Sequence, residues 1–286
     1  MFNGKKIVFI GPGAMAEAMI YGLIRQGVTG PQALIAAGPG QKRLDQLQSS
    51  YSIETTTDNA SAACLGDVVV LSVKPQRLER VLEGLKGAIK PDALVLSIVA
   101  GASMDTISTG LQHSLIVRSM PNTPAQIGEG ITVWTASKGV SDQQLEMTRQ
   151  ILGALGDEIF LEEEYYLDMA TALSGTGPAY VFLFMEAMVD AGVHLGFPRR
   201  IAEQLVAQTV RGSVDYYQRR EDPVHLARLR NEVTSPGGTS AAALYYLEKA
   251  GLRTAISRAI WAAYERSLEL GRGGKNRSPE QSSGNG

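Results

Sequence analysis

One cysteine, three histidines and a formal net charge of -2 leave this 286-residue chain with little of what metal or nucleic-acid chemistry requires. Cys64 alone excludes intrachain disulfides and cysteine-based metal clusters, and it suits a reducing compartment, so the chain is expected in the cytoplasm. Its alanine-rich setting suggests a packed thiol rather than a reactive one. His113, His194 and His225 are scattered and lack a spacing such as H-E-x-x-H, so no metal site is expected. No Ser-His-Asp or Cys-His arrangement can be assembled either. The 27 basic and 29 acidic residues nearly balance, which argues against nucleic acid or an anionic membrane as partner. Long apolar runs are also missing: "KKIVFI" is too short for a signal peptide, and no segment is expected to span a bilayer. Small anionic ligands must then be held locally.

What is present begins with "KKIVFIGPGAMAEAMIYGLI". Lys5–Ile10 has strand character, and Gly11-Pro12-Gly13 turns into a helix that starts near Ala14. Gly11, Gly13 and Ala16 form the G-x-G-x-x-A pattern of a dinucleotide-binding turn. Gly11 serves the tight turn, Gly13 lets a pyrophosphate reach the helix amides, and Ala16 is small enough for helix to pack on strand. A lone match is weak, but strand before and amphipathic helix after are the context it needs. An NAD site wants an acidic residue about 20 positions further on to accept hydrogen bonds from the ribose hydroxyls. None occurs between Glu17 and Asp45; the second strand ends at Ala36-Ala37-Gly38, and Lys42 and Arg43 follow. Room and positive charge suit a 2′-phosphate, so NADPH is expected ahead of NADH, with NADH possible. Lys42 and Arg43 would equally serve as the solvated face of the next helix.

From Lys5 to about Glu163, strand-like runs alternate with helical stretches: "IVFI", "ALIAA", "VVVLSV", "ALVLSIV", "SLIVRS", "ITVWTA" and "EIFLE". That alternation predicts an α/β fold, an N-terminal Rossmann-type domain with a mainly parallel sheet. After Tyr165 the pattern becomes all-helical, with helices expected over 165–173, 177–195, 199–217, 223–233, 237–250 and 252–270. The reading is thus a nucleotide domain over 1–163, an all-helical substrate and dimerisation domain over 164–271 joined without a flexible linker, and a Gly/Ser/Pro-rich, disordered tail over 272–286.

Ligands of such sheets bind beyond the carboxyl ends of the strands, where three loops fall. "SVKPQ" brings Val73 and Lys74 near a cofactor while Pro75 starts a helix. "IVAGAS" leaves room at Ala100-Gly101 for a flat ring passing close to backbone. "RSMPNTPAQIGEG" sets Asn122 and Thr123 between two prolines. Asn59, after Asp58 at a helix start, belongs to the same rim. Each could be a plain turn of turn-prone residues; their placement on one rim makes the set more telling.

In the helical half, "VTSPGGTS", Val233 to Ser240, combines hydroxyls with a Pro-Gly-Gly corner at the mouth of a helix. Thr234 and Ser235 have N-cap chemistry, and Gly237-Gly238 let a carboxylate or phosphate approach the helix amides. An ordinary capped surface helix would carry the same residues. "SGTGPAYVF" is a second small-residue corner, in which Ser174 and Gly175 stand out from an otherwise plain helix turn. The glycine-rich turns of these corners supply no obvious Lys, His or Tyr to protonate an alkoxide, as ketone reduction normally requires. A protonated imine already carries its charge and needs only alignment and hydrogen bonding, which hydroxyls such as those of Ser235 and Ser240 supply.

On "IGPGAMAEAMIYGL", "VVVLSVKPQ", "MPNTPAQIGEG", "LSGTGPAYVF" and above all "LRNEVTSPGGTSAAALYYLE", the chain from about Lys5 to Gly271 resembles the pyrroline-5-carboxylate reductase family. The resemblance implies NADPH-dependent reduction of 1-pyrroline-5-carboxylate to L-proline by hydride transfer to the C=N carbon. It places the cofactor at Gly11, Gly13, Ala14, Met15, Ala16, Asn59, Val73, Lys74, Pro75, Ala100, Gly101 and Asn122. It places the substrate at Ser174, Ser235, Gly237, Gly238, Thr239 and Ser240, with the Ser240 hydroxyl facing the ring nitrogen as the catalytic group. It also implies an obligate dimer through interlocking helical halves, often gathered into larger rings. Two positions depart from the family: Ser240 stands where Thr is usual, and Pro12 where a small residue is usual, so residue 12 has no N–H for the pyrophosphate. A reductase of another cyclic imine acid, or a nucleotide-binding regulator without turnover, would share much of this pattern.

Overall fold

The computed structural model describes residue 2, residues 4–220 and residues 222–271; the tail expected to be disordered lies outside the described residues. Strands β1 (Ile7–Ile10), β2 (Leu34–Ala37), β3 (Glu54–Thr56), β4 (Val68–Leu71), β5 (Leu94–Ser97), β6 (Ile116–Met120), β7 (Gly130–Ala136) and β8 (Gly156–Phe160) form one sheet in the order β3-β2-β1-β4-β5-β6-β7-β8. Neighbours run parallel except β6 and β7, which pair antiparallel. The first six strands thus follow the doubly wound dinucleotide-binding order, which reverses direction between β1 and β4. β3 is an addition to the sequence reading: "ETT" is polar and lies at the sheet edge, so it carries no apolar signal.

Helices cover both faces, and the strand residues alternate between them. Ile7 and Phe9 pack into one core beneath α1 (Ala14–Arg25), α2 (Gln41–Tyr51) and α6 (Asp142–Gly153). Val8 and Ile10 point into the other, beneath α3 (Asn59–Ala63), α4 (Pro75–Leu85) and α5 (Met104–Leu111). The four strands β1, β2, β4 and β5 are buried throughout, so only their ends meet solvent. Cys64 ends α3 and is exposed, with its thiol donating to the Ser61 carbonyl at 3.0 Å; this corrects the expectation of a packed thiol.

The chain divides into two compact units, one holding residues up to Thr176 and the chain from Ala263, the other Gly177–Ala262. This contact division falls later than the 163/164 boundary read from the sequence. The reason is visible in the first unit: α7 (Tyr166–Ala170) packs Leu167 and Ala170 against Val133 of β7. A π-helical turn, Thr171–Gly175, follows it. In the second unit α8 (Gly177–His194) and α9 (Arg199–Gln218) meet through Val189, Ala202 and Val206. α10 (Leu226–Glu232) begins later than expected because His225 caps it, accepting from the Ala227 amide at 3.1 Å. α11 (Thr239–Lys249) and α12 (Leu252–Gly271) complete the described residues. The helical run Tyr166–His194 is long and apolar enough, by length and composition alone, to cross a membrane, contrary to the sequence expectation that no such segment exists.

Gly22 lets α1 lie close against the end of α6, since a methyl there would sit 2.5 Å from the Ala154 carbonyl oxygen. Gly22→Ala is expected to lower the unfolding free energy by about 1–2 kcal/mol, overpacking outweighing the gain in helix propensity. Urea denaturation with an unchanged slope checks this.

Candidate active site

At the point where strand order reverses, two loops are pressed together. Gly11 has φ +98°, and a side chain there would meet Val73 Cγ1 at 2.6 Å and the Val73 amide nitrogen at 2.9 Å. Ser72 closes the contact, its hydroxyl placed 2.8 Å from the Gly11 carbonyl oxygen and 3.1 Å from that of Ile10. Sequence reasoning placed Ser72 in a ligand loop without singling it out. The signal was a serine at the end of an apolar strand run, repeated at Ser97, whose hydroxyl accepts from the Val99 amide at 3.2 Å.

Gly13 caps α1 in extended backbone, and no described side chain caps the helix. No atom lies within 4 Å of where a Gly13 side chain would start, so the chain is open at the residue that caps the helix. Ala14 and Met15 are its first two residues, and Ala16 is fully buried against the core. A pyrophosphate fits such a helix mouth by its unpaired donors and by the dipole. Asn59 opens α3 on the same edge of the sheet, after Asp58, whose carboxylate accepts from the Ala60 and Ser61 amides at 3.0 Å each. The Asn59 Oδ1 is buried without a hydrogen-bond partner among the described residues. Native structures rarely leave such an atom unmet by protein or by ordered water.

Pro12 is accommodated by Gly38: a side chain at position 38 would meet Pro12 Cδ at 2.5 Å. The Pro12 carbonyl accepts from Arg43 Nε at 2.9 Å, and Arg43 also pairs with Glu17. The positive charge foreseen for a 2′-phosphate is therefore partly committed to clipping the glycine turn, while Lys42 stays exposed. Burial pushes the Glu17 carboxyl up, but hydrogen bonds from Arg43 and Tyr51 and the Arg43 charge outweigh it and hold the group below the usual carboxylate range.

Lys74 caps α4, and Pro75 is its first residue. Gly101 has φ +74° and is buried. Asn122 is 8% exposed, and its Oδ1 accepts from the Ile131 amide at 3.0 Å, so this oxygen holds the start of β7. The Ser174 hydroxyl donates to the Ala170 carbonyl at 2.9 Å inside the π turn, and Gly175 leaves room for the Met120 methyl.

In the second unit the Pro-Gly-Gly corner is formed by Gly237 at φ +71° and a turn closed by the Gly238 amide on the Ser235 carbonyl at 3.1 Å. Gly238 caps α11, again with no described side chain as cap, and Thr239 and Ser240 are the first helical residues. A side chain at Gly238 would meet Ser235 Oγ at 2.5 Å, so the Ser235 hydroxyl lies over the mouth of the helix. Thr234 differs from expectation: its hydroxyl donates back to the Arg230 carbonyl at 2.6 Å and finishes α10 rather than starting α11.

A doubly wound sheet, a bare helix mouth behind a glycine turn at the reversal point, and a second bare helix mouth flanked by hydroxyls define a nicotinamide-nucleotide oxidoreductase acting on a small acid. Comparison with known proteins makes this specific. Residues 6–101 match the family model for NADP oxidoreductase, coenzyme F420-dependent, and residues 164–270 that for pyrroline-5-carboxylate reductase dimerisation. The chain is 44% identical over 264 residues to the pyrroline-5-carboxylate reductase of a Synechocystis species, covering 92% of this chain and 97% of the relative. The Arabidopsis thaliana enzyme is 34% identical over 265 residues, with 93% and 95% covered. The crystal structure of the Plasmodium falciparum pyrroline carboxylate reductase with NADP bound superposes with a TM-score of 0.85 at 32% identity, covering 93% of this chain and 98% of that one. The chain belongs to the pyrroline-5-carboxylate reductase family.

Gly13→Val meets no neighbour in the fold, so it is expected to leave stability within about 0.5 kcal/mol while abolishing NADPH binding; calorimetric titration of the folded variant checks it. The depressed Glu17 carboxyl makes a second prediction. Its stabilising contribution is fully present above the usual carboxylate range and is lost as pH falls through the lower folded value. Glu17→Gln should flatten that acid loss, read from urea midpoints between about pH 7 and pH 3.

Proposed function

We propose that this chain reduces 1-pyrroline-5-carboxylate to L-proline with NADPH. The observation that carries the reading is the pair of uncapped helix mouths, one behind Gly13 and one behind Gly238, each able to hold one of the two anions such a reaction brings together. Gly11 and Ala16 shape the glycine turn, Gly13, Ala14 and Met15 hold the pyrophosphate, and Asn59, the Val73-Lys74-Pro75 loop and Ala100-Gly101 line the rest of the nucleotide. Asn122 acts on that site through the β7 start it anchors. Reduced nicotinamide supplies the hydride when bound.

The α11 amides and the Ser235 hydroxyl take the substrate carboxylate, with Gly237, Gly238 and Thr239 providing close backbone approach. Ser240 is the catalytic group: its oxygen accepts a hydrogen bond from the protonated imine nitrogen and orients the C=N carbon. The substrate arrives as an iminium and leaves as an amine, so no residue has to donate a proton in the step. Serine in place of the family's threonine keeps the hydroxyl and loses only the β-branching that orders it.

The working form is a homodimer through the helical unit. Val181, Phe182, Leu183 and Phe184 are all exposed in α8, and α11 has no buried residue. Helices apolar on every side need a partner in water, and a second copy supplies one without any membrane. A free, exposed Cys64 suits a reducing cytoplasm.

The test follows NADPH oxidation with 1-pyrroline-5-carboxylate and its six-membered homologue. Turnover of the five-membered ring is expected; none with either ring makes the chain a nucleotide-binding regulator. Ser240→Ala should lower kcat and kcat/KM, whereas Ser235→Ala should mainly raise KM, each by about ten- to a hundredfold for one charge-assisted hydrogen bond. Wild-type kinetics in a folded Ser240→Ala would remove this hydroxyl from the mechanism.

A further inference from the structure

The loop after β5 is held from both sides by groups that the reaction itself does not use. Arg118 of β6 stands opposite Ser97, the last residue of β5. Its side chain is 5% exposed and pairs with Glu164 at 3.0 Å and Asp168 at 2.9 Å. The same Glu164 oxygen accepts from the Met104 amide at 2.7 Å, the first residue of α5, and so fixes the far end of the loop. Asp168 Oδ1 also accepts from the Ser267 hydroxyl at 2.8 Å, and Ser267 is 2% exposed in α12. One turn later α12 meets the loop itself. A side chain on Gly101 would lie 2.9 Å from Leu270 Cβ and 3.0 Å from the Gly271 nitrogen, and one on Gly271 would lie 2.6 Å from the Gly101 carbonyl oxygen.

A buried guanidinium between two carboxylates adds little stability, because desolvation consumes most of the attraction. Its strength is geometric: the planar fork fixes both acids at once. Here each acid carries a further bond, one to the start of α5 and one to α12, so the cluster sets where both stand against the Val99–Ala102 loop.

We propose that Glu164 and Ser267 are positioning residues: with Arg118 and Asp168 they hold the Ala100-Gly101 loop in the shape that receives the nicotinamide half of NADPH. The inference rests on the reading of that loop as cofactor-binding. The last turn of the final helix thereby becomes part of the nucleotide site, although the glycine turn that grips the phosphates lies at the other end of the chain.

The test uses the full chain and two ligands, NADPH and adenosine 2′,5′-bisphosphate, which carries the 2′-phosphorylated adenosine and no nicotinamide. Ser267→Ala is expected to weaken NADPH about three- to tenfold, the effect of losing one indirect hydrogen bond, and to leave the bisphosphate unchanged. Gly271→Ala, which presses a methyl on the Gly101 carbonyl, should show the same split and a raised KM for NADPH. Equal weakening of both ligands would show that the cluster merely supports the fold, and unaltered NADPH binding in both variants would show that the loop does not depend on it; either overturns the proposal. A wild-type chain that binds neither ligand overturns instead the nucleotide reading on which it rests.

Discussion

Backbone hydrogen bonding in a sheet buried on both faces is the constraint from which the site follows. β1, β2, β4 and β5 have no exposed residue, so their polar groups are satisfied by one another along the strands and only the strand ends are open to a ligand. Parallel pairing puts the carboxyl ends of β1, β4, β5 and β6 on one edge. Reversal of strand order between β1 and β4 parts the helices there, and the gap is where Gly11 and Val73 touch. The geometry of this edge is therefore inherited from the core, and the nucleotide site proposed there needs few dedicated residues.

Much of this was legible in the sequence because the signals are short and local. A buried parallel strand reads as a continuous apolar run, and "IVFI" and "VVVL" are such runs; a dinucleotide turn needs glycine where φ is positive, and Gly11 meets that need at +98°. β3 escaped because an edge strand of "ETT" has nothing to bury. Thr234 was misjudged for a different reason: an N-capping hydroxyl and one that closes the previous helix look alike in sequence, and only the geometry shows that this one donates to Arg230. Arg43 likewise reads as free charge, and its bond to Pro12 depends on how α2 returns to the glycine turn. Contacts between residues far apart in sequence, such as Arg118 with Asp168, leave no periodic trace at all.

The two units solve the problem of burial differently. The first closes its cores within one chain, with Trp134, Phe9 and Met19 fully enclosed. The second spends its apolar residues outward, and its own core is little more than Val189, Ala202 and Val206. In the proposed homodimer its stability would be tied to protomer concentration, as in any chain whose fold is completed by association. The same arrangement accounts for the apolar composition of α8, whose outward residues would face the second copy in the proposed homodimer.

The contact between Pro12 and Gly38 carries a consequence for how this lineage can change. The proline ring occupies the space into which any side chain at position 38 would grow, so an acidic residue there, the usual route to an NAD-type site, is closed while Pro12 stays. The two positions form an ordered pair: the proline must be lost first, and only then does the carboxylate become sterically admissible. In the proposed nucleotide site, cofactor preference would thus be guarded by a ring of carbon atoms, and a search for altered preference that varies position 38 alone would be searching in the wrong order.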